Sequence, residues 1–290
     1  MVKNVNLSVS TGKPLTLIGE TGCGKTLVAQ VLLGLLPQGM TASGQILYKG
    51  CNIINLPDHH KTRLWGREIF LFPQEPVMAL NPAMRASNQV KEIFRWIKGL
   101  NRGWSGRAVS ETFLSVGLAS EKDRLLYPHQ MSGGMRQRLV AAMAMAEPAR
   151  LIVADEPTKG LDSDLRKVVI DQLKSLIDRG KSLFTITHDI EVAREISGWL
   201  AVMYAGRIME LGPCAEVLRN PLHPYTVALL GALPANGLQP IPFRVKGRKI
   251  SEGCVFSDRC TLAMEKCFEL APESAILPTR GQCACFYCQG

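Results

Sequence analysis

The sequence predicts an α/β fold, and three observations carry that prediction. The octapeptide Gly19-Glu20-Thr21-Gly22-Cys23-Gly24-Lys25-Thr26 sits between an apolar run, Leu15 to Ile18, and a helix-forming stretch, Leu27 to Leu36. Two further apolar runs end in chemistry-bearing residues: Leu151 to Ala154 leads into Asp155-Glu156, and Ser182 to Thr187 leads into His188. Strands alternating with helical patterns, with functional groups at strand carboxyl ends, mark a mostly parallel sheet. Residues 85–146 differ in character and read as mostly helical.

The octapeptide has the form G-x-x-x-x-G-K-[ST], and strand, glycine-rich turn and helix give it the context of a phosphate cradle. Its glycines let the backbone wrap a polyphosphate, with N–H groups and the helix terminus aimed at the anion. Lys25 would reach the β- and γ-phosphates, and the Thr26 hydroxyl would ligate Mg²⁺. An ordinary packing turn is the bland alternative, but every fixed position matches.

Residues 1–56 read as strands around this loop and its helix, ending with a strand from Gly44 to Tyr48. Asp58 to Trp65 reads as a short helix and Glu68 to Phe72 as a strand. Gln74 follows between prolines; on its own it reads as a polar loop residue, though its carbonyl suits a metal or water. Within residues 85–146, Val90, Ile93, Phe94 and Ile97 recur at core-facing helical spacing, and a second helix runs from Gly106 to Gly117. Ser132-Gly133-Gly134 then reads as an N-cap at a second anion-binding helix terminus.

Asp155 is placed to bind Mg²⁺ and Glu156 to polarise an attacking water; two solvated acids are the alternative for the pair in isolation. A turn carries Asp162, and Ser163 to Asp178 reads as an amphipathic helix. His188 lies where α/β ligand sites lie. Leu200 to Tyr204 and Arg207 to Leu211 form a strand pair around Ala205-Gly206. Two short helices follow, the second starting near His223-Pro224-Tyr225-Thr226, and Pro234 to Pro242 reads as a linker.

A hydrophobic fraction of 46% and a charged fraction of 20% over 290 residues suit one large folded domain plus a smaller one. The net charge of +9 comes from scattered basic residues, Arg244 to Lys249 among them, without an aromatic platform, which argues against nucleic acid. The sequence offers neither a signal peptide nor an apolar run of membrane-spanning length, so an intracellular protein with peripheral membrane association is expected. Of nine cysteines, Cys254, Cys260, Cys267, Cys283, Cys285 and Cys288 crowd the end of the chain. In a reducing compartment that cluster points to metal before disulfides.

The ordered series Gly19–Thr26, Gln74, Ser132-Gly133-Gly134, Asp155-Glu156, Asp162 and His188 resembles the ATPase subunit of an ATP-binding-cassette (ABC) transporter. Ala79-Leu80-Asn81-Pro82, Val202-Met203-Tyr204-Ala205-Gly206, His223-Pro224-Tyr225-Thr226 and the cysteine tail resemble the peptide/nickel importer branch. Met135 resembles its D-type subunit in dipeptide, oligopeptide and nickel systems.

The resemblance implies a phosphate-loop NTPase core of ABC type with an inserted helical subdomain, an amino-terminal β-subdomain and a small cysteine-rich tail. The ATPase domain would span 1–233, with the helical subdomain at about 85–146, and the linker and tail 234–290. It implies ATP and Mg²⁺ as cofactors, Mg²⁺ being held by Thr26, Gln74 and Asp155. Two ATPase subunits, related but different because D-type chains pair with another type, would sandwich two ATP molecules. Each site would take Gly19 to Thr26, Gln74, Asp155, Glu156 and His188 from one chain, with Glu156, His188 and Gln74 catalytic. Ser132-Gly133-Gly134 would come from the other chain, and Asp162 would couple the sites. Two integral membrane permease subunits, an extracytoplasmic substrate-binding protein acting indirectly and the cytoplasmic membrane face complete the picture. A soluble ABC ATPase with a metal-cluster regulatory tail is the alternative.

Cys254-x5-Cys260-x6-Cys267 with Cys285 matches the resembled importers and implies a [4Fe–4S] cluster, with zinc as the alternative. Cys23 replaces the usual serine of the phosphate loop; beside Lys25 at a helix terminus, its thiol is expected to be acidified and reactive, a small loop-filling residue being the alternative. Lys159-Gly160-Leu161 also departs from the residues usual before Asp162. The 18 residues before Gly19 contain no aromatic to stack on adenine, so weak discrimination between ATP and GTP is expected, with an unpaired edge in the amino-terminal sheet.

Overall fold

The computed structural model of the chain describes residues 2–241, 253–277 and 281–289. The basic stretch Arg244 to Lys249 and the linker's end at Pro242 lie outside them. In chain order the strands are β1 (Leu15–Gly19), β2 (Leu47–Tyr48), β3 (Cys51–Asn52), β4 (Ile69–Phe72), β5 (Leu151–Asp155), β6 (Ser182–Ile186), β7 (Trp199–Tyr204), β8 (Arg207–Pro213), β9 (Ala275–Leu277) and β10 (Gly281–Cys283). The chain divides into two compact units. The first contains residues 1–8, 15–28 and 187–290, and the second contains 9–14 and 29–186.

In the first unit β1 pairs in parallel with β7, Leu15 opposite Trp199 and Gly19 opposite Met203. β1 is buried along its whole length, which is why Leu-Thr-Leu-Ile shows no alternation. β7 and β8 form an antiparallel hairpin across Ala205-Gly206. Both turn residues have positive φ, 44° and 82°, the geometry of a two-residue turn that follows the strand twist. β10 adds antiparallel to β8, and β9 to β10, so the tail extends this sheet. A side chain at Gly281 would run into the Leu211 carbonyl oxygen of β8.

In the second unit β4, β5 and β6 are parallel neighbours, with Ile152 opposite Phe70 on one side and Leu183 on the other. The helix Ser163–Asp178 buries Val169, Ile170, Leu173 and Leu176. The inserted region is helical, as expected: Ala86–Glu92, a π-helical turn Ile93–Ile97, Arg102–Ser115, Glu121–Leu125 and Gly133–Ala146. Val90, Ile93 and Phe94 are buried.

The amino-terminal expectation needs correcting. Among the described residues before Leu15 only an isolated bridge, Ser10 to Lys13, is present. The strand expected from Gly44 to Tyr48 shrinks to Leu47–Tyr48, paired with Cys51–Asn52 across a turn at Lys49-Gly50. Gly12, Pro14 and Gly44 supply breakers there: proline lacks a ladder donor and glycine weakens strands.

A buried carboxyl, Glu147, sets one pH response. Lys181 donates to the Glu147 and Ala149 carbonyl oxygens at 2.7 and 2.6 Å. Burial pushes the Glu147 carboxyl from 4.5 up to about 7 and the Lys181 ammonium from 10.5 down to about 8. Between about pH 4.5 and 7 the folded state therefore holds a proton at Glu147 that the unfolded chain releases. Stability from this group is present at low pH and falls as pH rises through that window. Glu147→Gln is expected to flatten the fall, which denaturant midpoints at pH 5 and pH 7.5 would measure.

Candidate functional site

The phosphate loop closes the carboxyl end of β1 and opens the helix Lys25–Leu33. Gly19 admits no side chain, because a Cβ there would collide with the Met203 carbonyl oxygen of β7. Gly22 holds φ at +82°, a conformation that glycine adopts without strain. Lys25 is 7% exposed, and its ammonium donates to the carbonyl oxygens of Gly19 at 2.8 Å and Glu20 at 3.0 Å. The charge thus sits within the loop's own curl, while Thr26 is exposed in the first helical turn. Two contacts that sequence reasoning missed brace the loop. The Gly206 N–H of the β7–β8 turn donates to the Cys23 carbonyl oxygen at 2.8 Å. The Glu20 N–H donates to the Tyr225 hydroxyl at 3.1 Å.

Cys23 overturns the expectation of an acidified thiol. It is 7% exposed, and burial pushes its pKa up despite the Lys25 charge at 4.0 Å. The side chain fills the loop's interior, and the small-residue alternative prevails.

His188 follows Thr187, whose N–H donates to the Leu17 carbonyl oxygen of β1 at 3.0 Å. The imidazole is exposed, and Asp189 caps the next helix by accepting from the Glu191 N–H at 3.0 Å.

The second unit carries the remaining candidates. Gln74 is half-buried in the bend after β4, just before the short helix Pro76–Ala79. Asp155 ends β5. Glu156 follows in the left-handed region with φ of 46°, its N–H donating to the Ile186 carbonyl oxygen at 2.7 Å. A non-glycine residue held there stores strain, a feature that clusters at functional positions. Ser132 caps the helix Gly133–Ala146, its hydroxyl accepting from the Met135 N–H at 3.3 Å. Asp162 caps the helix Ser163–Asp178, accepting from the Leu165 N–H at 2.9 Å.

These two helix starts are brought together, because Gly134 leaves room for the Leu165 side chain, which a Cβ would meet. Gln137, buried in the helix Gly133–Ala146, donates to the Pro157 carbonyl oxygen at 3.4 Å and ties that helix to the turn beyond Glu156. Nothing in the local sequence distinguished Gln137 from a solvent-facing glutamine; only its burial does.

In the tail, Cys254, Cys260, Cys267 and Cys285 line one cavity of about 20 Å³. Burial pushes the Cys254 thiol up to about 11, and the other three thiols add to the effect. Cys288 instead donates to the Leu222 carbonyl oxygen at 3.0 Å. Among the described residues no three His, Cys, Asp or Glu side chains gather closely enough to hold one metal ion.

The first unit thus carries the phosphate loop, and the second carries the Asp-Glu strand end and the capped Ser-Gly-Gly helix; comparison with known proteins matches these features. Residues 2–159 match the family described as ABC transporter. The chain belongs to that family.

This ABC protein also matches, over residues 209–267, the family described as oligopeptide/dipeptide transporter, C-terminal region. It is 35% identical over 293 residues to the oligopeptide transport ATP-binding protein OppD of Escherichia coli K12, covering 98% of this chain and 87% of that one. The OppD of Salmonella typhimurium is 34% identical over 295 residues, with 98% and 87% covered. Among solved structures it resembles a dimeric ATP-binding cassette in a post-hydrolysis state bound to ADP and Pi. The TM-score is 0.63 at 27% identity, covering 73% of this chain and 90% of that chain. The protein is an ABC-type ATPase. Among the described residues no helix is long and apolar enough to cross a membrane.

Proposed function

We propose that this ATPase energises import of peptides through a membrane permease, from the cytoplasmic face, as a peripheral subunit. The match of residues 209–267 to the oligopeptide/dipeptide transporter C-terminal region carries the reading. Nickel chelates, the other cargo of the resembled branch, have no such specific support. The groove beside the bend after Gln74 supports permease docking. Ala79, Met84, Ile93 and Trp96 line it, Met78 is 80% exposed and Trp96 72% exposed. Exposed apolar patches of this kind mark interaction surfaces.

In the proposed mechanism the loop Gly19 to Thr26 holds the phosphates of ATP. Thr26, Asp155 and Gln74 offer hydroxyl, carboxylate and amide oxygens, a hard donor set that suits Mg²⁺. Mg²⁺ supplies charge neutralisation when bound. Glu156 takes the proton of the attacking water, and His188 orients the γ-phosphate. Ser132, Gly133 and Gly134 contact the γ-phosphate in the site of the second ATPase subunit, which we take to be a related but different chain, and Asp162 couples the two sites. In this division residues 1–233 are the ATPase domain and 234–290 the tail.

We further propose a [4Fe–4S] cluster on Cys254, Cys260, Cys267 and Cys285. The four thiols line one cavity, and the long gaps Cys254-x5-Cys260-x6-Cys267, unlike the paired C-x2-C of zinc ribbons, favour a cluster over zinc. Anaerobic purification is expected to give brown protein containing iron; colourless, iron-free protein overturns the assignment.

The functional reading is tested by reconstitution with the permease in liposomes. ATPase activity is expected to rise when peptide-loaded binding protein is supplied. Stimulation by nickel chelates and not by peptides would overturn it.

A further inference from the structure

The phosphate loop carries an acidic side chain where ATP brings its own negative charge, and the fold answers it from the tail. Arg259 Nη1 lies 3.1 Å from Glu20 Oε2, bridging 239 positions of sequence. The same nitrogen lies 3.2 Å from the Tyr204 hydroxyl, and the guanidinium stands 5.6 Å from the Tyr204 ring centroid. Tyr204, Tyr225 and Phe256 pack together with centroids 4.6, 5.3 and 5.4 Å apart. The Arg259 N–H donates to the Phe256 carbonyl oxygen at 3.0 Å, fixing the turn from which the guanidinium projects. Glu20 is thus held twice, its N–H by Tyr225 and its carboxylate by Arg259. The Arg259 and Glu20 side chains are 15% and 34% exposed, so the pair is only partly screened by solvent. The charge of Glu20 is felt inside the loop, where it helps raise the Cys23 pKa.

We propose that Arg259 is a positioning residue for ATP binding, pairing Glu20 so that its carboxylate is neutralised and the phosphate loop is preorganised. An unpaired carboxylate on the loop would repel the triphosphate, and a loop freed at Glu20 would have to be ordered on binding. Cys260, next in sequence, lines the cysteine cavity, so the folding of the tail and the affinity of the loop are linked. The proposal rests on the phosphate-loop role of Gly19 to Thr26.

The test is a double-mutant cycle on the full chain, reading MgATP dissociation by equilibrium binding, and KM and kcat in the assembled transporter. Arg259→Gln is expected to raise Kd and KM about tenfold, one unit on the affinity scale, with kcat nearly unchanged. Adding Glu20→Gln is expected to recover most of that loss, because the repulsive charge is gone. A merely structural Arg259 would give no such recovery. If Arg259→Gln does not fold, Arg259→Met, which keeps a stem on Tyr204 without the charge, replaces it: a KM rise reversed by Glu20→Gln supports the proposal, and an unchanged KM overturns it. Wild-type affinity in Arg259→Gln, or no recovery on adding Glu20→Gln, also overturns it. Lys25→Ala is the control: intact ATP binding there would remove the loop's role itself, separately from that of Arg259.

Discussion

Glu156→Gln in the assembled transporter is expected to lower ATP turnover by about 10²–10⁴-fold, the usual contribution of a general base. ATP binding is expected to survive. Glutamine keeps the size and a carbonyl oxygen, so the turn after β5 and the bond from the residue 156 N–H to Ile186 are retained. Only the proton acceptor is lost. The left-handed backbone at Glu156, with φ of 46°, is equally strained for both residues, so stability should change little. Single-turnover hydrolysis and equilibrium nucleotide binding, measured on the same preparation, separate the two effects. Wild-type turnover in Glu156→Gln would remove Glu156 from the base role.

The parts of the site that the sequence disclosed are those in which spacing and chemistry are local. Gly19 to Thr26 needs a strand before it and a helix after it, and both are written within the same short stretch. Ser132 announces itself as a cap because a short polar side chain precedes a helical run, and it accepts the Met135 N–H; Asp162, read only as part of a turn, caps its helix in the same way. Burial and long-range partners were not readable. Cys23 looked acidified beside Lys25, but desolvation outweighs the ammonium's field, and the burial that causes it is a product of the fold, in which the distant Gly206 N–H also reaches the Cys23 carbonyl oxygen. The same holds for Gln89, whose place in the structure no local sequence signal announces. It is 5% exposed and donates to the Asn81 and Met84 carbonyl oxygens at 3.1 and 2.9 Å, pinning the Asn81-Pro82 loop. At the amino terminus the strands read around the phosphate loop shrink, among the described residues, to β1, a bridge and a hairpin of two-residue strands, because Gly and Pro interrupt them.

Lys25→Ala is expected to weaken MgATP binding by one to two decades, since a hydrogen bond to a charged group is worth about 1.5–3 kcal/mol. The buried position of Lys25 adds a second consequence, visible before any nucleotide is added. Its ammonium satisfies the carbonyl oxygens of Gly19 and Glu20, and an alanine leaves both without that donor. The apo protein is therefore expected to lose about 1–3 kcal/mol as well, the cost of an unsatisfied buried acceptor, unless water enters the loop. Lys25→Arg keeps the charge but places a planar fork in a curl that fits a compact ammonium. It should bind ATP less well than wild type while staying nearer to it in apo stability. Denaturant unfolding without nucleotide and equilibrium binding with MgATP measure the two losses separately. A Lys25→Ala protein as stable as wild type but unable to bind ATP would show that the carbonyl contacts contribute nothing to holding the loop. An equal affinity for ATP would show that the charge never reaches the phosphates.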